Sequence, residues 1–450
     1  MTLLGSLKTS FTRRAAVFLV LACLVVAGSR WSGLRAAWHE RSPATLPEQQ
    51  SASDEAARSR ELIGFYERRL HSDPGEADVS ARLAGLYLQR LRETGALEDL
   101  GLALRAAKTS LAIVPAVRNT NALSALALAE FAAHEFGPAR DHARQLARLD
   151  DTGTPYAILG DALAELGDYG AAERAYAYMQ RRSEPGNENV ATRMARLAQL
   201  HGDNARAAYQ FAKALALELR RSEPSRERIA WFHWQLGDTA FFSGDMRGAQ
   251  THYDDALAAY PNYFRALASL GRLDAARGDY LQAIRQYEAA VALLPDPTFE
   301  AELGDVYLLA GRKNEARTQY ELVEFIGHLS RLSGVMYNRQ LAMFYADHDV
   351  KAQEAYQAAK REYRIRRDIL GADALAWTAL KAGNLGEAQR AMRAALRLGT
   401  VDPRLFYHAG MIAGAAGKHA LARTYLERAL TLNPQFDPVQ ANVARAALAR

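Results

Sequence analysis

A glycine-centred pattern recurs along this chain, most often at intervals of 33 to 35 residues, and it constrains the fold more than any other feature. Seven glycines share it: Gly167, Gly202, Gly244, Gly278, Gly311, Gly383 and Gly417. An alanine follows each glycine after five residues, a large apolar or aromatic residue follows after nine, and Gly or Ala precedes it by seven. Self-similarity at this period predicts an array of stacked units rather than separate globular domains.

The spacing within one unit describes two antiparallel helices. Leu236 and Gly237 share one face of the first helix, and Gly244 ends that helix in a left-handed turn. Ala249 and Tyr253 then lie on one face of the second helix, because they are four residues apart. Small residues on both helices allow a close approach, and the large residues fill the space beside them.

This pattern resembles the tetratricopeptide repeat over about 380 of the 450 residues. The resemblance implies an all-α fold, a right-handed α-solenoid of about eleven helix-turn-helix units. The apolar run near the N-terminus adds a hydrophobic leader helix before the array. The clearest units are 153–186, 188–221, 230–263, 264–297, 297–330, 369–402 and 403–436. Less regular copies at 55–74, 79–117, 120–153 and 333–368 complete an array over 55–436, with a capping helix expected at 437–450. The copy at 333–368 lacks the turn glycine, so its register stays open.

A leader is predicted over residues 1–41. Its uncharged apolar run, 15–28, has 14 residues, fewer than the roughly 20 that a membrane span needs, and matches the core of a secretory signal. An uncleaved signal anchor, with Trp31 and Trp38 at the membrane interface, is an equal alternative. A mitochondrial transit peptide is a weaker one. The polar stretch 42–54 contains two prolines and is expected to be a flexible tether.

Charge and cysteine content exclude several classes of function. The first 50 residues contain six Lys and Arg against two acids, which is +4 of the whole chain's net charge of +5. The array is therefore close to neutral, and we expect no nucleic-acid partner. The single cysteine, Cys23, lies in the leader, where a lipoprotein site is a weaker alternative. No thiolate metal site, disulfide or cysteine nucleophile is therefore expected in the array.

The sequence contains no phosphate-binding glycine loop, HExxH motif or serine elbow, so we expect no enzyme, no cofactor and no metal site. The most metal-like cluster is Asp347-His348-Asp349. Three consecutive residues do not face one ion without a special loop, so we interpret this cluster as an ordinary helix end that replaces the usual Gly-Asp turn.

The resemblance also implies where a partner binds, because the concave groove of such arrays is lined from the first helix of each unit. The groove positions of the unit that begins at Ala230 carry Trp231, Trp234, Asp238, Phe241 and Phe242, and the next unit adds Arg265 and Arg272. Exposed aromatic residues beside arginine are typical of protein-binding hot spots. The alternative is that Trp231 and Phe242 pack against a neighbouring helix or against the connector RRSEP at 220–224.

We therefore expect a non-enzymatic protein–protein interaction scaffold or assembly factor of the bacterial cell envelope. It would be periplasmic, secreted, or anchored in the inner membrane through residues 15–28, and it would bind a protein or peptide segment in its groove. The alternative is a subunit of a polysaccharide synthesis or export system, in which the groove aromatics stack on sugars. A glycan is the less favoured partner.

Overall fold

The computed structural model describes residues 47–333 and 338–449, and the regular structure in these ranges consists of helices with no β-strand. The α-helices are α1 Pro47–Ser72, α2 Ala77–Thr94, α3 Leu97–Ile113, α4 Thr120–Ala132, α5 Phe136–Leu146, α6 Thr154–Glu165, α7 Tyr169–Arg182, α8 Glu188–Leu200, α9 Asn204–Glu218, α10 Arg226–Phe242, α11 Met246–Ala259, α12 Phe264–Arg277, α13 Tyr280–Leu293, α14 Pro297–Leu309, α15 Lys313–Ser333, α16 Asn338–Asp347, α17 Ala352–Tyr363, α18 Ile369–Lys381, α19 Leu385–Ala395, α20 Pro403–Ala415, α21 His419–Leu432 and α22 Gln440–Leu448. A single turn of 3-10 helix, Ala116–Arg118, precedes α4.

Helices α2 to α21 form ten pairs, which we number units 1 to 10 along the chain. The two helices of each pair are joined by a short loop and pack on each other, and successive pairs pack in order. This arrangement confirms the all-α repeat architecture predicted from the sequence. Its handedness stays a prediction, and the leader, 1–41, lies outside the described residues.

Two of the boundaries predicted near the N-terminus are wrong. Residues 55–74, expected to be an imperfect helix-turn-helix unit, belong mainly to the single helix α1, so the array has ten paired units rather than about eleven. Residues 47–54, expected to be part of the tether, are the start of the same helix. The glycine inside this stretch, Gly64, lies within the helix and does not adopt the left-handed conformation of the turn glycines, and most of the residues around it favour a helix.

Close packing within a unit follows the small-residue pattern. A Cβ atom added at Gly271 of α12 would lie 2.6 Å from the ring of Tyr287 on α13. The equivalent glycine of unit 10, Gly410, faces Leu426 at 2.7 Å in the same way. Both large side chains are buried. The glycine and the large residue nine positions after the turn therefore interlock, as the sequence pattern predicted.

The array also curves back onto itself. Gly167, in the turn of unit 3, lies against the backbone of Arg367, and the hydroxyl of Tyr169 accepts a hydrogen bond of 2.8 Å from the backbone N–H of Ile369. Burial raises the pKa of Tyr169 to about 12, so the hydroxyl is neutral at pH 7 and also has a proton to donate. In both contacts the two partners are 200 residues apart, and Arg367 and Ile369 lie where unit 8 ends and unit 9 begins.

The same contact recurs along the spiral at an offset of five units. The turn at Gly202 in unit 4 meets Gly399 and Val401 after unit 9, and the turn at Gly244 in unit 5 meets Leu432 and Asn433 after unit 10. At the start of the array, Gly95 of unit 1 approaches Leu294 after unit 6. We call these contacts, between the turns of units 1, 3, 4 and 5 and the segments after units 6, 8, 9 and 10, the seam. One superhelical turn therefore takes about five units.

None of the described helices is both long enough and apolar enough to cross a membrane. The last helix, α22, lies within the stretch predicted to cap the array and buries Ala441 and Ala444 in a cluster with Tyr407 and Phe436.

Candidate protein-binding site

The seven residues predicted to line the groove lie on α10 of unit 5 and α12 of unit 6, and six of them lie on one connected surface. Trp231, Trp234, Asp238, Phe242, Arg265 and Arg272 are partly exposed, whereas Phe241 is buried. The surface divides into an aromatic part and a charged part. The rings of the aromatic part are partly open to solvent, whereas the charges of the other part are paired with each other.

The aromatic part consists of Trp231, Trp234 and Arg265, which we call the aromatic patch. The indole N–H of Trp234 donates a hydrogen bond of 3.0 Å to the hydroxyl of Ser269. The guanidinium of Arg265 lies 5.7 Å from the ring centroid of Trp234 and 4.4 Å from that of Phe264. At these distances a cation attracts the face of an aromatic ring. The rings are thereby fixed in position while part of their surface remains open.

Trp231 is held by edge contacts on α9 and α10. Its ring centroid lies 5.9 Å from that of Phe211 and 5.3 Å from that of Phe232, both in edge-to-face geometry. The alternative that Trp231 packs against a neighbouring helix is therefore correct for one side of the ring. The ring nevertheless retains solvent exposure.

The charged part is a network centred on Asp238. Its carboxylate accepts hydrogen bonds of 2.7 Å from Arg272 and 2.7 Å from the hydroxyl of Tyr253, and the hydroxyl of Ser269 lies 3.3 Å away. Burial, and then the Asp238 carboxylate, raise the pKa of Tyr253 well above its usual range. Burial alone would lower the pKa of Arg272, but Asp238 raises it. Because Asp238 and Arg272 pair with each other, neither offers a free charge to a partner.

Phe241 is a correction to the predicted groove. Its side chain is 0% exposed and packs among Tyr253, Leu270 and Leu273, so it has no surface to offer a partner. The last turn of α10 rotates this position toward the second helix and the next unit.

Phe242 meets a residue from much later in the chain. The guanidinium of Arg404, on α20 of unit 10, lies 5.5 Å from its ring centroid, and an Arg404 nitrogen lies 3.9 Å from a carboxylate oxygen of Glu302 on α14. Units 5, 7 and 10 therefore meet at this point. The sequence pattern does not predict this contact, because it depends on the curvature of the whole array.

Acid–base pairs of this kind alternate along the array. Asp161 pairs with Arg193 at 2.6 Å, Asp238 with Arg272 at 2.7 Å, Asp305 with His348 at 2.7 Å and Asp373 with His408 at 2.9 Å. Each pair joins the first helix of an odd-numbered unit to the first helix of the next unit or, for His348, to the residue directly after that helix. These ion pairs therefore join units 3 and 4, 5 and 6, 7 and 8, and 9 and 10. The 34-residue pattern does not show this alternation.

The cluster Asp347-His348-Asp349 is an ordinary helix end, as predicted. Its three side chains have three different partners: Trp377 for Asp347 at 2.8 Å, Asp305 for His348 at 2.7 Å, and Lys381 for Asp349 at 2.6 Å. Asp349 and Lys351 have φ angles of 54° and 47° and take the left-handed conformation that glycine supplies in other units.

Stacked helix pairs with interlocking small and aromatic residues define a helical-repeat protein. The family model described as the tetratricopeptide repeat matches residues 269–325 and 374–435. These two segments are therefore tetratricopeptide repeats, as the resemblance indicated, and such repeats support a protein-interaction scaffold in general.

Solved structures with a similar arrangement include MamA, the Cut9-Hcn1 hetero-tetramer of the APC/C and yeast Tom70. MamA has 21% sequence identity and a TM-score of 0.31, with coverage of 38% of this chain and 96% of that chain. Cut9-Hcn1 has 12% identity and a TM-score of 0.32, covering 90% of this chain and 97% of that chain. Tom70 has 15% identity and a TM-score of 0.31, covering 89% and 95% respectively. No curated protein matches the sequence.

Proposed function

We propose that this protein is a non-enzymatic scaffold that binds a segment of a partner protein against the aromatic patch of Trp231, Trp234 and Arg265. The observation that carries the proposal is that two tryptophans, three residues apart on α10, are fixed by their neighbours yet remain partly exposed. Rigid aromatic side chains lose little conformational entropy when a partner covers them, and for that reason they dominate many protein interfaces.

Arg265 indicates what kind of segment fits the patch. Its guanidinium contacts the rings of Tyr263, Phe264 and Trp234, and no ion pair engages it among the described residues. A partner segment with an apolar side chain beside a carboxylate would cover the indoles and pair with this cation. Asp238 and Arg272, which already pair with each other, would flank the segment and limit its register.

We propose further that the array works in the bacterial cell envelope. The support is the sequence alone, namely the basic stretch followed by the apolar run at 15–28. The mass of the mature N-terminus tests this directly. Removal of the leader or its retention in the inner-membrane fraction supports envelope location, and an intact N-terminus in the soluble cytoplasmic fraction contradicts it.

Site-specific photo-crosslinking in the native host tests the partner site. A photoreactive residue at position 231 of the full-length chain should yield a discrete protein adduct. The control is the same residue at position 209, because Tyr209 on α9 is 66% exposed but lies outside the patch. The adduct from 231 should weaken strongly when Arg265→Ala is added, because that change removes the cation that pairs with the partner and leaves the rings in place. Equal adducts from 231 and 209 would sink the proposal.

The polysaccharide alternative predicts a different readout. Envelope glycans should then quench the fluorescence of Trp231 and Trp234 in the purified chain, and no protein adduct should form. A Trp231→Phe, Trp234→Phe double variant assigns the quenching to the patch, because Trp31, Trp38 and Trp377 remain as an internal reference.

A further inference from the structure

We propose that His233, His252 and Asp255 form a binding site for a divalent transition-metal ion of the zinc type, which clamps the two helices of unit 5 together. His233 lies on α10, and His252 and Asp255 lie one helical turn apart on α11. One potential ligand atom from each residue lies within 4.8 Å of the other two. The sequence contains no metal-binding motif, so we expected no metal site, and the two histidines are 19 residues apart in the chain.

The distances between the ligand atoms match tetrahedral coordination. The Nδ1 atoms of His233 and His252 are 3.4 Å apart, and Nδ1 of His233 is 3.5 Å from Oδ2 of Asp255. Two ligands bound to zinc at about 2.0–2.1 Å and at the tetrahedral angle lie roughly 3.3–3.4 Å apart. The ligand atoms of His252 and Asp255 lie within 4.8 Å of each other, and the Asp255 side chain, which is 48% exposed, has room to turn toward an ion.

The surroundings of the two imidazoles favour a cation, because the charged side chains that act on them are Asp255 and Asp245, and both are acidic. Without a metal, two Nδ1 atoms that face each other share at most one proton between them.

The backbone positions of the ligands are already fixed. Tyr253, next to His252, is 0% exposed and bonds to Asp238, and Ala249 and Ala256 on the same helix are buried. Three protein ligands leave a fourth coordination position for water. The same donor set also binds Co²⁺, Ni²⁺ and Cu²⁺, so the site is defined by chemistry rather than by one metal.

Titration of the full-length chain with Zn²⁺ tests the site. The protein carries no polyhistidine tag, is stripped with chelator, and has Cys23→Ser to remove the only thiol. One equivalent of Zn²⁺ should bind and raise the thermal midpoint, and Co²⁺ should give the visible absorption of tetrahedral coordination. His252→Gln should weaken binding by more than roughly 100-fold, because it removes a ligand rather than an outer-shell partner.

Two matched variants keep the test decisive. Asp255→Asn changes an exposed residue, leaves folding intact, and should still weaken binding. His201→Gln removes a histidine that pairs with an exposed carboxylate, Glu173, at 2.8 Å, and should leave binding unchanged. A wild-type chain that binds no Zn²⁺, or binding that is equal in wild type, His252→Gln and Asp255→Asn, would overturn the proposal. The outcome is independent of the partner experiment, since no ligand lies in the aromatic patch.

Discussion

Units 5 and 6 carry the same turn sequence and yet differ in what that turn does. Gly244-Asp245 and Gly278-Asp279 have glycine φ angles of 84° and 83°. Each aspartate caps the following helix, with bonds of 2.9 Å and 3.1 Å to a backbone N–H. A Cβ atom at Gly244 would lie 2.5 Å from the carbonyl oxygen of Leu432, whereas nothing lies within 4 Å of one at Gly278. The turn is therefore a local structure, and its role in the seam is set by the curvature of the array.

The largest expected effect comes from breaking the charged part of the seam. Arg366 pairs with Glu165 of unit 3 at 2.7 Å and with Asp368 at 2.8 Å, and these side chains are largely buried. Burial raises the pKa of Glu165, so this carboxylate depends on Arg366 for its charge. Arg366→Ala should lower the free energy of unfolding by about 3–5 kcal/mol.

The matched control for Arg366 lies in a turn outside the seam. Arg312 pairs with Glu315 at 2.9 Å, and both side chains are more than 40% exposed. Arg312→Ala should change stability by less than about 0.5 kcal/mol. Urea denaturation followed by circular dichroism measures both variants. Equal losses would show that the seam contributes nothing to stability.

The next effect comes from the two glycines themselves. Gly278→Ala should cost about 1–2 kcal/mol, because alanine is unfavourable in the left-handed conformation. Gly244→Ala should cost a further ~1–3 kcal/mol, because its methyl group clashes with the backbone at Leu432. Small-angle scattering provides the second readout. The Gly244 variant should have a larger radius of gyration than the Gly278 variant, and identical radii would contradict the seam.

The sequence predicts what is local and misses what is global, for a physical reason. The contact between Gly271 and Tyr287 is predictable because one turn of fixed geometry separates the two residues. The contact between Gly244 and Leu432 cannot be predicted in this way, because its position depends on the sum of small rotations between five successive units. The unit count failed at 55–74 for a different reason, since a single helix also shows apolar residues at helical spacing.

The candidate site follows the same division. Trp231 and Trp234 were found by their position in the repeat, and both are partly exposed as expected. Phe241 had the same kind of support but is buried, because the end of α10 faces the next unit. Arg404 and Glu302 reach this surface from distant units, and nothing in a 34-residue window indicates them.

A smaller effect is expected from the uncharged part of the seam. The side-chain amide of Asn433 is fully buried and donates a hydrogen bond of 2.7 Å to the carbonyl of Phe241. Asn433→Ala removes this bond, while the carbonyl keeps a hydrogen bond of 2.9 Å from the backbone N–H of Gly244, so the change should cost about 0.5–1.5 kcal/mol. Asn442, which bonds to the carbonyl of Pro438 at an exposed position, serves as the control. Asn442→Ala should stay within about 0.5 kcal/mol of wild type in the same denaturation experiment.

The smallest expected effect is a pH dependence of stability, which the pairs that contain histidine should show and the pairs that contain arginine should not. Burial alone would lower the pKa of His408, but its bond to Asp373, with Asp347 and Asp402 nearby, raises it. His408 also stacks on Trp377 at 4.4 Å. A raised pKa means that the folded chain binds the proton more tightly than the unfolded chain. The contribution to stability is therefore complete below the unfolded pKa, about 6.5, and is lost as the pH rises through the folded value.

His408→Gln should therefore flatten the loss of stability between slightly acidic and alkaline pH. Asp161–Arg193 should show no such dependence, since arginine keeps its charge throughout this range. Thermal midpoints of wild type and His408→Gln across this range measure the difference. Parallel curves for the two proteins would assign the pH dependence to other groups.

The offset of five units changes how this protein should respond to force. A simple row of repeats transmits load only between neighbours, so it stretches and unravels from its ends. Here the turn of unit 5 is also bonded to the segment after unit 10, and the turn of unit 3 to the segment after unit 8. Successive turns of the superhelix are therefore bonded to each other along the seam. When the array is pulled from its ends, the force should first rise steeply until the seam contacts break. The array should then extend at a lower force.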